Sequence, residues 1–318
     1  MFIFFNAKIN TIDEDLEMTN QVFEKVDVNG ATVAYDPTQL RQIREHPCYS
    51  ESASHTYGRA HLAVAPECNV QCNYCVRKFD CVNESRPGVA SEVLTPERAL
   101  LLTREIVAEH PNIHVIGIAG PGDPLANEET FETLRLIHDE FPDLIFCLST
   151  NGLLLPKYVD KLDEVGVTNL TVTMNALDPD VCAKIYQYID YEKKRYYSSR
   201  EMGEILIHAQ LSGIEMAVKK GMLVKVNSVY IPGINDEEIP KIAEKAAELG
   251  AFNQNIIPLI AQAKFADRSP PTLAEKEAMQ EKCKIFIRQM SHCQRCRADA
   301  VGCLGKDLKL TGCARQTM

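Results

Sequence analysis

Positive charge is in short supply: 34 Lys and Arg stand against 44 Asp and Glu, a net charge of −10. Gripping a phosphate backbone as the main task needs clustered cations, so nucleic-acid partners are disfavoured. Missing too is any stretch near the roughly 20 apolar residues that span a membrane. Met1-Phe2-Ile3-Phe4-Phe5 has neither the basic flank nor the length of a secretory leader. Twelve cysteines in 318 residues are too few for a disulfide scaffold. Without export they read as thiolates of a cytoplasmic, oxygen-sensitive metal protein. There is no short-period repeat. The length suits one large α/β barrel or two ordinary domains.

What is present centres on Glu67-Cys68-Asn69-Val70-Gln71-Cys72-Asn73-Tyr74-Cys75. A loop can wrap thiolates at this C-x-x-x-C-x-x-C spacing around three corners of a cubane, leaving the fourth iron open to a chelating small molecule. Soft thiolates suit an iron–sulfur cluster, whereas structural zinc wants a fourth ligand nearby. A chance group of core cysteines is the plainer alternative.

Apolar runs and amphipathic stretches alternate from His61 onward. Strands are expected at 61–65, 113–119, 144–149, 169–174, 222–231 and 252–258, and helices at 95–110, 127–140, 156–165, 178–190, 200–219, 236–249 and 272–290. Thr95-Pro96-Glu97 and Asn235-Asp236-Glu237-Glu238 are helix starts, and Gly166, Gly221 and Gly250 are helix stops. Six β/α units imply parallel strands. Upstream, 1–20 is weakly periodic with Met18 as an alternative start. Val26 to Tyr35 suits a hairpin turning at Asn29-Gly30, and Pro37 to Glu45 a short helix ended by Pro47.

The triplet, with Tyr74 just before its third cysteine, resembles the signature of the radical S-adenosylmethionine (SAM) superfamily. That resemblance implies an open, partial (β/α)6 TIM-like barrel of α/β class. It also implies a 4Fe-4S cluster on Cys68, Cys72 and Cys75 that chelates SAM and cleaves it to a 5′-deoxyadenosyl radical. SAM-contacting loops are then expected after successive strands. Gly120-Pro121-Gly122-Asp123 loosely matches the segment that binds the SAM amino group, though a β-to-α turn would also favour Gly and Pro. Ser149-Thr150-Asn151-Gly152, Asn175 and Ile231-Pro232-Gly233-Ile234-Asn235 follow in order. On barrels, reactive groups gather at such strand ends.

The remaining cysteines carry distinctive flanks: His46-Pro47-Cys48-Tyr49-Ser50-Glu51, Arg77-Lys78-Phe79-Asp80-Cys81-Val82-Asn83-Glu84-Ser85-Arg86-Pro87-Gly88, and His292-Cys293-Gln294-Arg295-Cys296-Arg297-Ala298-Asp299-Ala300. With the triplet, the loops above and Asn255-Ile256-Ile257-Pro258, they closely resemble the NifB family of nitrogenase cofactor biosynthesis, discontinuously from about His46 to Gly302. That family implies two further 4Fe-4S clusters bound as substrates. One SAM methylates a cluster sulfide and a second yields the radical that takes hydrogen from the methyl group. Fusion then gives a carbide-centred eight-iron precursor. Carried over, one substrate cluster falls to His61, Cys293 and Cys296, with His46 a rival nitrogen ligand, and the other to Cys48, Cys81 and Cys147. Iron–sulfur cluster donors, an electron donor such as a ferredoxin and an acceptor scaffold or carrier are the implied partners, and a monomer is expected.

The expected organisation is an N-terminal extension (1–45), the barrel (46–260), and a C-terminal helix with the Cys-x-x-Cys tail (261–318), in the short stand-alone form. The residues agree in part. A two-residue spacing lets Cys293 and Cys296 reach one cluster, though a zinc half-site fits it equally. Ile145, Cys147, Ser149 and Asn151 share one parity, so Cys147 faces inward if the others do; a lone strand cysteine is more commonly a small buried hydrophobe. Making a carbide sheds protons, and Glu84 and Asp123 are the candidate bases. Helix capping is the alternative for Asp123, and an ion pair with Arg86 for Glu84. Cys182, Cys283, Cys303 and Cys313 suit packing or surface positions; His110, His114, His138 and His208 read as structural. The basic, aromatic run 191–197 reads as an exposed loop between helices. Rival readings are a radical SAM enzyme with auxiliary electron-transfer clusters, a non-catalytic cluster carrier and a zinc protein.

Overall fold

The computed structural model describes residues 24–28, 31–83 and 88–308. Six parallel strands form its centre: Gly58–His61, Ile113–Ile118, Ile145–Thr150, Val167–Thr173, Leu223–Tyr230 and Asn253–Pro258. Their order in space is their order in the chain, each paired with the next. The sheet curves as an open α/β barrel rather than closing, as the alternation of runs implies. Strands covered on both faces need apolar side chains on both. Ile116, Leu148, Leu170 and Val224 accordingly have no exposed surface, and each contributes about 1.5–3 kcal/mol by leaving water.

Amphipathic helices cover the outside: Pro96–Glu109, Glu128–Glu140, Leu155–Glu164, Arg200–Lys219 and Glu238–Glu248. Thr95 caps the first through Arg98 N. Gly166, Gly221 and Gly250 follow three of them with φ of +80°, +84° and +83°, the left-handed geometry of a helix stop. Asn235 is not a simple helix cap. Its amide bonds Ile231 N, Val229 O and Asn175 O, so it ties down the loop after the fifth strand. Upstream, Glu24–Val28 and Ala31–Tyr35 pair as the expected hairpin, and Pro37–Glu45 is helical. The Asn29-Gly30 turn, Met18, Glu84, Arg86 and Cys313 lie outside the described residues.

Four expectations shift. The first strand is Gly58–His61 rather than 61–65, because Gly58 to His61 is the stretch in register with the second strand. The helix expected over 178–190 ends at Ile185, and Tyr186–Tyr191 becomes a strand. It pairs with Val70–Cys72 on one side and Lys194–Tyr197 on the other, so 191–197 is a hairpin and not an interhelical loop. Glu192 and Lys193 turn it with φ of 49° and 63°. Arg195 is held there by Asp190 at 2.7 Å and stacks 3.9 Å from the Tyr188 ring. The last long helix spans Leu273–Lys284 only. Beyond it, Gln254 N bonds Arg288 O and Met290 N bonds Gln254 O, covering the edge of the sixth strand. The tail then adds Val301–Cys303 antiparallel to Gly58–His61 at the other edge.

Candidate functional site

Two adjoining cavities open among the carboxyl ends and interior of the strands, and Ser149 lines both. The outer one contains Cys68, Cys72, Cys75, Cys81, Gly122, Asp123 and Asn151, around about 570 Å³ of atom-free space, mouth included. Its triplet loop is clamped from three sides. Val70–Cys72 is a strand of the small sheet. Gly122 N bonds Ala65 O at 2.6 Å and Asp123 N bonds Glu67 O at 2.7 Å. This approach requires glycine, since a Cβ on Gly122 would lie 2.1 Å from Glu67 O. Asn151 Nδ2 donates to Asn69 Oδ1 at 2.7 Å.

Asp123 is 3 % exposed. Its carboxylate accepts from Leu125 N (3.0 Å), Thr150 Oγ1 (3.0 Å) and Asn151 N (2.6 Å). Burial still raises its pKa to about 6. Capping and a raised pKa therefore coexist in one group. Burial also pushes the thiols of Cys68, Cys72 and Cys75 up, so metal binding there displaces protons. Among the described residues, no three His, Cys, Asp or Glu side chains gather closely enough to clasp a single metal ion.

The inner cavity lies within the barrel, about 610 Å³ with its mouth, lined by His46, Cys48, His61, Cys147, Cys293 and Cys296 among others. The structure thus brings the tail pair to His61, and Cys48 to Cys147. Cys81 stands instead with the triplet, on a turn pinned by Asp80 N to Gly88 O at 2.8 Å and by Asp80 Oδ1 to Ala90 N at 2.9 Å. The tail is seated by Arg59, which donates to Cys296 Sγ (3.2 Å), Gly302 O (2.5 Å) and Asp307 Oδ1 (2.6 Å). Burial raises the Cys296 thiol to about 11 although Arg59 pulls the other way.

The two histidines differ by tautomer. His61 Nδ1 lies 3.0 Å from Arg297 O, so it carries the proton and Nε2 keeps its lone pair. Burial, then the Arg59 charge, lowers its pKa to about 4; a neutral imidazole oriented by a carbonyl is a metal ligand's arrangement. His46 Nδ1 instead accepts from Cys48 N at 3.0 Å, which places the proton on Nε2. Of the two rings, His61 alone offers a free lone pair.

The family model for the radical SAM superfamily matches residues 62–246. The chain belongs to the radical SAM superfamily. It is 49 % identical over 281 residues to the FeMo cofactor biosynthesis protein NifB of Klebsiella pneumoniae, covering 86 % of this chain and 60 % of that one. The protein of the same name from Chlorobaculum tepidum is 45 % identical, with 83 % and 63 % covered. The chain therefore spans about three-fifths of the length of these relatives. Streptococcus suis SuiB shares the fold, with a TM-score of 0.51 at 14 % identity, covering 77 % of this chain and 49 % of that one.

The superfamily implies a 4Fe-4S cluster and SAM, and the outer cavity fits them: three thiols on one clamped loop, facing Gly122, Ser149 and Asn151. Gly120 does not line that cavity, and its carbonyl accepts from Ala65 N at 3.3 Å. Asn175 and Ile231 are buried and do not line it. Asn175 spends its amide on Tyr74 OH (2.8 Å), Tyr186 OH (2.9 Å) and Val229 N (2.8 Å), so it braces the triplet through Tyr74. Cys182 and Cys283 are buried in the apolar core clusters and raised to about 12 by burial, as packing residues would be. His114 pairs with Glu45 at 2.8 Å.

The sequence pattern did not single out Arg59 or Lys225, and it gave Arg77 a place in a flank but no role. Arg77 lines the outer cavity and holds the triplet loop through Val70 O and Gln71 Oε1. For Lys225 a signal existed: a charge inside the apolar run Leu223-Val224-Lys225-Val226. Among the described residues no helix is long and apolar enough to cross a membrane.

Proposed function

We propose that this chain is a SAM-dependent maturase that converts two 4Fe-4S substrate clusters into the carbide-centred eight-iron precursor of the nitrogenase cofactor. The observation that carries the reading is the inner cavity. Five soft ligands, Cys48, His61, Cys147, Cys293 and Cys296, line one space that adjoins the triplet's through Ser149. The resemblance to NifB proteins supports the same reading.

In this reading Cys68, Cys72 and Cys75 hold the resident cluster, which when bound supplies the electron for SAM cleavage. Gly122, Ser149 and Asn151 position SAM. Asp123 orients Asn151 and Thr150, and its raised pKa suits it to take a proton near neutrality; Glu84 is the other candidate. His61 with Cys293 and Cys296 holds one substrate cluster. Cys48 and Cys147 hold the other, with Cys81, which lines the outer cavity, as its third ligand. Cluster donors, a ferredoxin-type electron donor and an acceptor scaffold would be its partners, in the cytoplasm, with the chain a monomer.

The test is anaerobic iron content with SAM product analysis, for the parent and a Cys293→Ala/Cys296→Ala variant. The parent should hold about three cubanes' worth of iron and make both S-adenosylhomocysteine and 5′-deoxyadenosine. The variant should lose about one cubane and stop making S-adenosylhomocysteine. A parent that makes only 5′-deoxyadenosine, with the variant unchanged, would leave a radical SAM enzyme with auxiliary clusters instead.

A further inference from the structure

The inner cavity carries cations that its ligand set does not require. Lys225 stands within the fifth parallel strand, 5 % exposed, and lines the cavity with Arg59 and Arg295; among the described residues no Asp or Glu lines it. A fixed ammonium in a low-dielectric interior favours negative charge beside it. Here four thiol positions share its cavity. Lys225, His46 and His61 line the same cavity.

His46 is the second, independent observation. It is 2 % exposed and lines the same cavity. With Nδ1 accepting from Cys48 N, the proton sits on Nε2, and that atom has no hydrogen-bond partner. A buried N–H donor left without an acceptor costs about 1–3 kcal/mol. The strand and the His46-Pro47-Cys48 turn thus bring an ammonium and an N–H donor to one space lined by thiols.

We propose that Lys225 and His46 form a seat for the inorganic sulfides of the iron–sulfur substrate, Lys225 as counter-charge and His46 as hydrogen-bond donor through Nε2. This rests on the reading of the inner cavity as a substrate-cluster site. Both are positioning residues and neither bonds iron. The physical need is plain: two thiolate-ligated clusters are anionic and repel as they are brought together, and a fixed cation beside them lowers that cost. Donors aimed at sulfide also raise a cluster's reduction potential.

The experiment uses the full chain reconstituted anaerobically with iron and sulfide, comparing the parent with Lys225→Met, Lys225→Arg and His46→Phe. Two quantities are read: the rate at which a chelator strips the substrate-cluster iron, and that iron's midpoint potential by spectroscopically monitored titration. The signal of the iron on Cys68, Cys72 and Cys75 in the same sample reports an intact fold. Lys225→Met should release substrate iron at least about tenfold faster, the scale of a lost buried charge contact, and shift its potential negative. Lys225→Arg should stay near the parent. His46→Phe should shift the potential in the same direction and serves as the second arm if Lys225→Met loses the control signal. Parental release and potential in Lys225→Met, or in His46→Phe where that arm decides, overturn the seat alone. A parent that binds only one cubane's worth of iron overturns the functional reading and the seat with it.

Discussion

His61 Nδ1 lies 3.0 Å from the backbone oxygen of Arg297, so the first barrel strand and the cysteine tail meet at one imidazole. The contact puts the proton on Nδ1 and leaves Nε2 its lone pair, in a ring that lines the same cavity as Cys293 and Cys296, and it separates the two histidine candidates. In reconstituted protein, nitrogen coupling to a substrate cluster should vanish in His61→Gln and persist in His46→Gln. Pulsed electron paramagnetic resonance reads this directly. Coupling lost only in His46→Gln would reverse the assignment.

Gly122→Ala should cripple the triplet loop. The added methyl meets backbone, Glu67 O at 2.1 Å and Glu67 C at 2.6 Å, and backbone cannot swing aside as a side chain can. A cost of about 1–3 kcal/mol or more is expected, with loss of the iron bound by Cys68, Cys72 and Cys75. Urea unfolding of the apo-protein and the visible absorbance of the reconstituted form check both parts. Parental absorbance would show that the loop tolerates the shift.

Arg59 links Cys296, Gly302 and Asp307 while only 3 % exposed. Arg59→Met should destabilise the apo-protein by about 2–4 kcal/mol, because hydrogen bonds to a buried charge are lost and acceptors are stranded. The tail should also become the first site of limited proteolysis, since its strand would lose that anchor. Equal cleavage rates in parent and variant would count against this latch.

Asp123 predicts a pH dependence of known sign. Its pKa of about 6 in the fold lies above the ordinary 3.8, because burial penalises the charged form. The group's contribution to stability is then fully present below about pH 4 and is lost as the pH rises through 6, by about 3 kcal/mol in all. Asp123→Asn should flatten that part of the apo-protein's stability curve between about pH 4 and pH 6, the limits set by the two pKa values. A slope like the parent's would assign the titration to another group.

Much of this was legible along the chain because it is local. Apolar runs long enough to be strands, glycines at helix ends and the C-x-x-x-C-x-x-C spacing each act within a few residues. Less legible were features that depend on a distant partner. Tyr186 to Tyr191 follows a helix without punctuation, and only pairing with Val70–Cys72 makes it a strand. Asn175 sits at a strand end like a ligand-contacting residue, yet bonds to Tyr74, Tyr186 and Val229 use up its amide. Lys225 stands out as a charge inside an apolar run, but only the curved sheet shows which cavity it lines.

By itself the sequence determined the superfamily and the number of parallel strands. Motif spacing and hydrophobic period are properties of neighbouring residues, and they survive without any knowledge of the whole. Tertiary structure alone decided how nine candidate ligands divide between two cavities, which imidazole keeps its lone pair, and why Gly122 must be glycine. Each of those depends on distances between segments far apart in the chain, such as His61 and Arg297. Such distances exist only once the sheet has curved and the tail has docked along its edge.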